Sequence, residues 1–133
     1  MDRKLHKLMS DPALLEYAYN QIKSKPGNMT PGITPETLDG ISYEYLTGVA
    51  ESLKDETFTF EPGRRIQIPK ADGTSTRPLT IAPPRDKIVQ EAMRIILSSI
   101  YEPTFKDSSH GFRNNRSCHS ALKYIYVKFK PCT

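Results

Sequence analysis

One pair of short segments constrains the fold of this chain more than any other feature. Residues Arg65-Ile66-Gln67-Ile68 alternate between polar and apolar side chains, which is the period of a β-strand with one buried face. Ala71-Asp72-Gly73-Thr74 gives a strong turn signal, and Arg77-Pro78-Leu79-Thr80-Ile81 can return antiparallel. The sequence therefore predicts a β-hairpin, and its cations place positive charge at the tip and along one flank.

Helical patterns lie on both sides of the hairpin. Asp11 and Pro12 have the preferences of an N-cap and a first helical turn, and we expect this helix to end near Ser24. A breaker-rich loop at 26–32 follows, and a short helical turn is expected from Thr34. Three further helices are predicted: one capped by Ser42 and ending near Lys54, one from Asp86 to the residue before Pro103, and one capped by Ser117.

Apolar residues recur at helical spacing in each of these segments, which predicts the side chains that face the core. They are Leu14, Leu15, Ala18 and Ile22, then Leu46, Val49, Ala50 and Leu53, then Ile88, Val89, Ala92, Ile96 and Leu97, and finally Ala121, Leu122 and Ile125. The predicted fold is α+β, with helices packed around a small antiparallel hairpin.

Charge is distributed unevenly along the chain. The net charge is only +4. Residues 1–60 contain 6 lysines and arginines against 9 aspartates and glutamates, whereas residues 61–133 contain 13 against 6. A polyanion such as RNA is expected to bind to the basic half. Solvated basic faces without a partner are also common, so charge nominates a region without establishing its function.

Length and composition exclude several classes of protein. The 133 residues, 37% hydrophobic and 26% charged, suit one compact domain with a modest core. No apolar run approaches the roughly 20 residues of a membrane span, and the first residues match neither a secretory signal nor an import peptide. Cys118 and Cys132 are too few for a secreted disulfide scaffold, and with His110 and His119 they lack the spacing of a structural zinc site. We expect a reducing compartment, no membrane, no metal and no cofactor.

Five short blocks give the sequence a specific resemblance. They are Arg64-Arg65-Ile66-Gln67-Ile68-Pro69-Lys70, Arg77-Pro78-Leu79, Arg85-Asp86-Lys87-Ile88-Val89-Gln90, Ser109-His110-Gly111-Phe112-Arg113 and Arg116-Ser117-Cys118-His119. In order and spacing the blocks resemble group II intron reverse transcriptases, and organellar maturases in particular. The stretch from Pro26 to Ser42 resembles the N-terminal extension of that family, so the resemblance covers nearly the whole chain. It implies a helical extension at 1–60 and a fingers region at 61–133 that stops before the palm.

The resemblance also implies roles for the hairpin cations. In the family, a lysine and an arginine of the hairpin reach the phosphates of an incoming nucleotide, and Lys70 and Arg77 stand at matching positions. An ammonium acts as a point charge on phosphate and a guanidinium can bind two oxygens at once, which suits those roles. The full set of residues expected to bind RNA or phosphate is Arg64, Arg65, Lys70, Arg77, Arg85, Lys87, Phe112, Arg113 and Arg116.

The block from Ser109 to Arg116 resembles the family segment that lies along the template strand. Phe112 is then placed to stack on a base or sugar, and Arg113 and Arg116 are placed to contact phosphates. Phe112 has an alternative role as a core residue beneath a turn at Gly111, because buried aromatic residues are common.

We expect no catalytic residues in this chain. Family members carry metal-binding aspartates in a palm strand after the last helix and in a Tyr-Ala-Asp-Asp block, and neither occurs in these 133 residues. Phosphoryl transfer needs carboxylates that hold two metal ions, so the chain alone is expected not to polymerise nucleic acid. Ile33 departs from the family, which commonly has an acidic residue at that loop position.

The expected function is contact with structured RNA, such as group II intron RNA, by an inactive fragment of a maturase. One alternative is a maturase-derived structural subunit of a large organellar ribonucleoprotein such as the mitochondrial ribosome, which would bind ribosomal RNA and neighbouring proteins. Another is the N-terminal half of a split reverse transcriptase with a separate palm chain, and a third is an inert product with a partial fold. The resemblance implies the mitochondrial matrix, with the bacterial cytoplasm as the alternative.

Overall fold

A computed structural model describes residues 3–27 and 29–129, with only the backbone of Arg3, and within these ranges the chain is α+β. It forms two compact units, one up to Ile95 and the other from Ile96 onward. The predicted division at residue 60 remains a prediction. The elements are α1 (Arg3–Met9), α2 (Pro12–Ile22), α3 (Tyr43–Lys54), β1 (Arg64–Pro69), β2 (Thr76–Ile81), α4 (Pro84–Tyr101), a short 3-10 turn (Glu102–Thr104) and α5 (Cys118–Lys128).

Side-chain caps begin the helices of the first unit where the sequence predicts them. The Asp11 carboxylate accepts the backbone N–H of Ala13 at 2.9 Å, and Ser42 Oγ accepts that of Tyr45 at 3.2 Å. Each cap satisfies a backbone donor that has no partner within its helix. The first and second predicted helices are thereby confirmed as α2 and α3.

The core of the first unit is built almost wholly from helices. Its buried residues, all at most 5% exposed, are Leu15, Ala18 and Ile22 from α2, Leu46, Val49 and Ala50 from α3, Ile88, Val89 and Ala92 from α4, and Leu38 from the loop before α3. Burial of each large aliphatic side chain contributes on the order of 1.5–3 kcal/mol to stability. Tyr19 ties the same loop to α2 because its hydroxyl donates to Leu38 O at 3.0 Å.

The hairpin forms as predicted but contributes little to this core. β1 and β2 pair antiparallel, from Arg64 opposite Ile81 to Pro69 opposite Thr76. Within these two strands only Ile81 is buried. The expectation that helices pack around the hairpin is therefore wrong in its detail: the helices pack on one another, and most of β2 is solvent-exposed.

Two contacts fix the loop before α3 against the start of α4. The Lys87 ammonium donates to Thr30 O at 2.8 Å. Gly32 is buried against Pro83, where an added Cβ would lie 3.0 Å from Pro83 Cα. The loop is irregular, as its breakers predict, and it is fixed because glycine allows this close approach.

Some sequence expectations are wrong. The chain near Thr34 bends without forming a helical turn, because the Thr37 hydroxyl accepts the Asp39 N–H at 3.2 Å and Leu38 anchors the segment in the core. The long helix begins at Pro84, two residues before the expected start, since proline is well suited to the first position of a helix. Helix α1 has no periodic signal in the sequence, because its seven residues offer too few apolar positions.

The remaining corrections concern apolar faces that stay uncovered. Leu97 is 45% exposed, Leu122 is 65% exposed and Ile125 is 53% exposed, although all three were expected to face the core. No residue of α5 is buried. Helical periodicity identifies an apolar face correctly here, but the described residues supply nothing that covers it.

The second unit consists of the end of α4, the 3-10 turn, a long loop and α5. Ser117 Oγ accepts the backbone N–H of Ser120 at 3.3 Å, and Ser120 Oγ accepts that of Ser117 at 2.8 Å. This reciprocal capping box starts α5 at the predicted position. Among the described helices, none combines the length and apolarity needed to cross a bilayer.

Candidate nucleic-acid interface

The hairpin presents cations on both of its faces. In an antiparallel pair, residues directly opposite each other share a face, so Arg77 lies with its partner Ile68, and Arg65 lies on the other face with Thr80. The backbone N–H of Lys70 donates to Ser75 O at 2.9 Å, which continues the pairing one step beyond β1. Strand alternation then places Lys70 on the same face as Arg77.

Asp72 shapes the turn that joins the strands. Its carboxylate accepts the Ser75 hydroxyl at 2.6 Å and the backbone N–H groups of Ser75 and Thr74 at 3.0 and 3.1 Å. These hydrogen bonds, the Ser75 hydroxyl first, lower the pKa of Asp72 below its usual value. Gly73 takes the positive φ of 68° that the turn requires. The tip is thus locally ordered between two cationic strands.

Three cations of the hairpin are available to bind a ligand: Arg65, Lys70 and Arg77. All three are exposed, and their side chains have no ionic or hydrogen-bonded partner within the part of the chain that the structure describes. Residues 64–81 carry four cations and one carboxylate. Arg64 differs, since it is half-buried and its Nε is buried without a hydrogen bond among described residues. The hairpin is a surface of largely uncompensated positive charge.

Arg85 is occupied by contacts within the first unit. Its Nη2 donates to Thr59 O at 3.1 Å and to Glu61 Oε1 at 3.2 Å. Its guanidinium carbon also lies 5.0 Å from the centre of the Phe58 ring, within the range of a cation–π contact. These contacts hold the segment before β1 against α4. Phosphate binding by Arg85 remains a prediction, and it competes with three internal contacts.

Lys87 is likewise held inside the first unit, by Thr30 O. Burial lowers the pKa of its ammonium below the usual value. The direction follows from desolvation, which disfavours the charged form. Lys87 stabilises a loop in this structure, and its expected contact with RNA is untested.

Arg113 forms the most extensive set of contacts in the second unit. Nε donates to Glu102 Oε1 at 3.0 Å, and Nη2 lies 2.9 Å from the same oxygen in an ion pair. Nη1 donates to Lys106 O at 3.1 Å and to Ser109 O at 2.9 Å. The guanidinium carbon lies 5.2 Å from the centre of the Phe105 ring. Only 10% of this side chain is exposed. Its predicted contact with phosphate would require breaking bonds that organise the loop.

Two further residues, Arg116 and His110, restrain the same loop. Arg116 Nη2 lies 3.5 Å from Asp107 Oδ1, and its Nη1 lies 3.4 Å from Asp107 O. His110 Nδ1 lies 2.9 Å from Ser120 Oγ, and its ring packs 5.6 Å from the Tyr124 ring. The loop is therefore joined to α5 as well as to the 3-10 turn.

Phe112 is fully exposed, at 114% of its reference area, and has a positive φ of 55°. The alternative in which it is a core residue beneath Gly111 is therefore not what the structure adopts. Exposure of an aromatic ring on a restrained loop leaves its face free to stack. Stacking on a base remains a prediction for this residue.

Sequence reasoning missed the residues that organise this loop. Glu102 pairs with an arginine eleven residues away, and no short-range spacing signals that contact. Lys106 and Lys123 were also missed as candidates, although both are exposed and have no side-chain partner among the described residues. The excess of positive charge after residue 60 is the one signal that includes them.

The remaining surface of the first unit offers a different chemistry. A cleft of about 380 Å³ beside α3 is lined by residues that include Glu36, Tyr45, Glu61 and Arg85. Burial, followed by the charge of Glu36, raises the pKa of Tyr45. The carboxylates of Glu36 and Glu61 in this cleft disfavour a phosphate ligand. No group of three or more metal-ligating side chains comes together in the described ranges.

Comparison with known proteins places the chain within longer relatives. No family model matches it. It is 54% identical over its whole length to the "Uncharacterized 91 kDa protein in cob intron" of Schizosaccharomyces pombe, 46% identical over 95% to the "Group II intron-encoded protein LtrA" of Lactococcus lactis, and 32% identical over 91% to "Nuclear intron maturase 4, mitochondrial" of Arabidopsis thaliana. It spans 16%, 21% and 14% of these relatives, respectively.

Proposed function

The chain belongs to the group II intron-encoded protein family, of whose members it matches a short stretch, and from this premise we propose that it contacts structured intron RNA through its basic hairpin. We choose intron RNA over ribosomal RNA because these relatives are named for introns. In this proposal residues 61–133 correspond to the fingers region of a reverse transcriptase.

The observation that carries the proposal is the contrast between two sets of cations. Arg85 and Arg113 are neutralised by carboxylates of their own units, whereas Arg65, Lys70 and Arg77 are exposed and unpaired among described residues. Neutralising a cation inside the protein removes most of the gain from placing it on a phosphate. Residues 1–60 have more carboxylates than cations, so the net positive charge of the first unit is concentrated at 64–81, where a phosphate backbone gains most from binding.

Ultraviolet cross-linking tests the proposal directly. The chain is irradiated with a group II intron RNA, and cross-linked peptides are mapped by mass spectrometry. We expect adducts within residues 64–81 that disappear as salt is raised. Adducts confined to the acidic residues 1–60 would contradict the proposal.

A second candidate function rests on the shared face of Lys70 and Arg77. A stiff hairpin that presents an ammonium and a guanidinium together suits the phosphates of a nucleotide. We favour RNA contact, a function for which neither Lys70 nor Arg77 has to bind a nucleotide. Nucleotide binding that appears only after a palm polypeptide is added, and that Lys70→Ala abolishes, would establish the second candidate instead.

The relatives include both a mitochondrial and a bacterial protein. The Arabidopsis maturase is named as mitochondrial, and the Lactococcus protein is bacterial. A mitochondrial origin agrees with the resemblance to organellar maturases, and we adopt it as part of the proposal.

A further inference from the structure

The contact between Glu102 and Arg113 restrains the loop that carries Phe112, and direct phosphate binding by Arg113 does not explain this restraint. We propose that Arg113 is a positioning residue: with Glu102 it holds Phe112 outward, so that the ring stacks on an unpaired RNA base. This inference deepens the proposed function and rests on it. The base that Phe112 is expected to contact is thereby narrowed to one in a single-stranded segment, and Arg113 takes a role other than the phosphate contact expected from the sequence.

Arg113 is withdrawn from solvent. Nε and Nη1 donate to internal acceptors, Nη2 forms an ion pair with Glu102, and the guanidinium lies over the Phe105 ring. Two of those acceptors, Lys106 O and Ser109 O, are backbone atoms of the loop itself. One side chain therefore fixes the loop at two points and joins it to the 3-10 turn through Glu102.

Phe112 has an unfavourable backbone conformation and an exposed ring. A positive φ of 55° costs a bulky residue on the order of 1 kcal/mol or more, and its ring gains nothing from burial. Such a conformation persists only when the surroundings impose it. The flanking residues do so: Arg113 is anchored as described, and His110 lies 2.9 Å from the Ser120 hydroxyl on α5.

The exposed Phe112 ring determines which ligand the loop suits. A phenyl ring has no hydrogen-bonding group, so it recognises the flat face of a partner and not its edge. Unpaired bases stack on such rings with little dependence on sequence. Lys106 supplies an exposed cation on the same loop, and its carbonyl accepts from Arg113. A loop that carries both an exposed aromatic ring and an exposed cation suits a base together with its phosphate.

Substitution of Glu102 distinguishes the two roles considered for Arg113, because they predict opposite changes in RNA affinity. If Arg113 contacts phosphate, Glu102 only repels RNA, and both Glu102→Ala and Glu102→Gln should tighten binding. If the pair is a brace, Glu102→Ala should weaken binding to a single-stranded RNA by about tenfold, the scale of one base stack. Glu102→Gln should stay near the unaltered affinity, because its amide oxygen still accepts from Arg113.

A double-mutant cycle with Phe112 completes the test. Phe112→Ala should cost about as much as Glu102→Ala, and combining them should cost little more, since both remove the same stack. The dependence on salt should be unchanged in each variant, because the same phosphates remain neutralised. Circular dichroism checks that each variant folds. If Glu102→Ala does not fold, Arg113→Lys replaces it as the test variant. Lysine keeps the charge but cannot reach all the acceptors, so a brace predicts loss of binding and a phosphate contact predicts little change.

The outcomes distinguish the brace from the function on which it rests. Tighter binding of Glu102→Ala, or full additivity with Phe112→Ala, would overturn the brace while leaving RNA binding through the hairpin intact. Absence of any RNA binding by the unaltered chain would overturn the proposed function and the brace together.

Discussion

Asp86, in the first turn of α4, accepts the backbone N–H of Glu61 at 3.0 Å and so ties the segment that enters the hairpin to the helix that leaves it. Asp86 is 1% exposed, and burial raises the pKa of its carboxyl. The ionised form is thus stabilised less in the folded chain than in water. Its value to the fold lies in the hydrogen bond it accepts.

We therefore expect Asp86→Ala and Asp86→Asn to differ. Alanine leaves the Glu61 N–H without an acceptor and should lower the free energy of unfolding by about 2 kcal/mol. Asparagine keeps an acceptor oxygen and carries no buried charge, so its cost should be clearly smaller. Urea denaturation followed by circular dichroism measures both. Equal losses for the two variants would show that the charge, and not the hydrogen bond, matters.

Gly32 gives a second test of stability. An added Cβ would meet the Pro83 backbone at 3.0 Å, so Gly32→Ala should destabilise the first unit by about 1–3 kcal/mol through overpacking. Gly48, inside α3, is the matched control, because a Cβ there would meet nothing within 4 Å. Gly48→Ala should stabilise the chain by roughly 0.5–1 kcal/mol through helix propensity. Thermal unfolding of both variants checks the contrast, and a harmless Gly32→Ala would contradict the docking of this loop.

The Glu91–Arg94 pair predicts a dependence on pH. Arg94 donates to Glu91 at 2.7 and 2.8 Å, and its hydrogen bonds lower the pKa of that carboxyl. The pair therefore stabilises the fold above the ordinary pKa of glutamate, about 4.3, and this contribution is lost as the pH falls through the lowered pKa. Arg94 is half-exposed, so we expect less than about 1 kcal/mol. Glu91→Gln should lose less stability between pH 6 and pH 3 than the unaltered chain, and parallel pH profiles would argue against the pair.

Catalysis is tested by primer extension. With magnesium, nucleotides and a primed RNA template, the 133-residue chain by itself should extend no primer, because the reaction needs carboxylates that hold two metal ions. A full-length group II intron reverse transcriptase is the positive control. Extension by the purified chain would refute the expectation.

The parts of the fold that depend on local chemistry were predictable from the sequence. Asp11 and Ser42 cap α2 and α3, and the turn at Asp72-Gly73 joins the two strands. Each signal acts over a few residues, so no knowledge of tertiary packing is needed.

Contacts between distant residues were not predictable. The same residue type serves different purposes: Arg77 is exposed on a strand, whereas Arg113 is withdrawn into a loop by Glu102 and two backbone carbonyls. In the sequence, Arg77 and Arg113 both stand in basic blocks. Only the folded structure shows which of the two charges is neutralised by a carboxylate. Leu122 illustrates the same limit for apolar residues, since its periodicity predicts burial without supplying a partner.

The measurement that tests RNA contact through the hairpin most directly is the affinity for a group II intron RNA at several salt concentrations. The test variant combines Arg65→Ala, Lys70→Ala and Arg77→Ala. The control combines Lys7→Ala, Lys23→Ala and Lys54→Ala, which removes the same net charge from exposed positions in residues 1–60. Circular dichroism confirms that both variants fold.

We expect the hairpin variant to bind at least about tenfold more weakly at low salt, since exposed ion pairs each contribute up to roughly 1 kcal/mol. The slope of log affinity against log salt should also become shallower by about 0.7–0.9 for each phosphate that the variant no longer neutralises. The control should keep the slope of the unaltered chain. An unchanged slope in the hairpin variant, or an equal loss of affinity in the control, would contradict RNA contact through the hairpin.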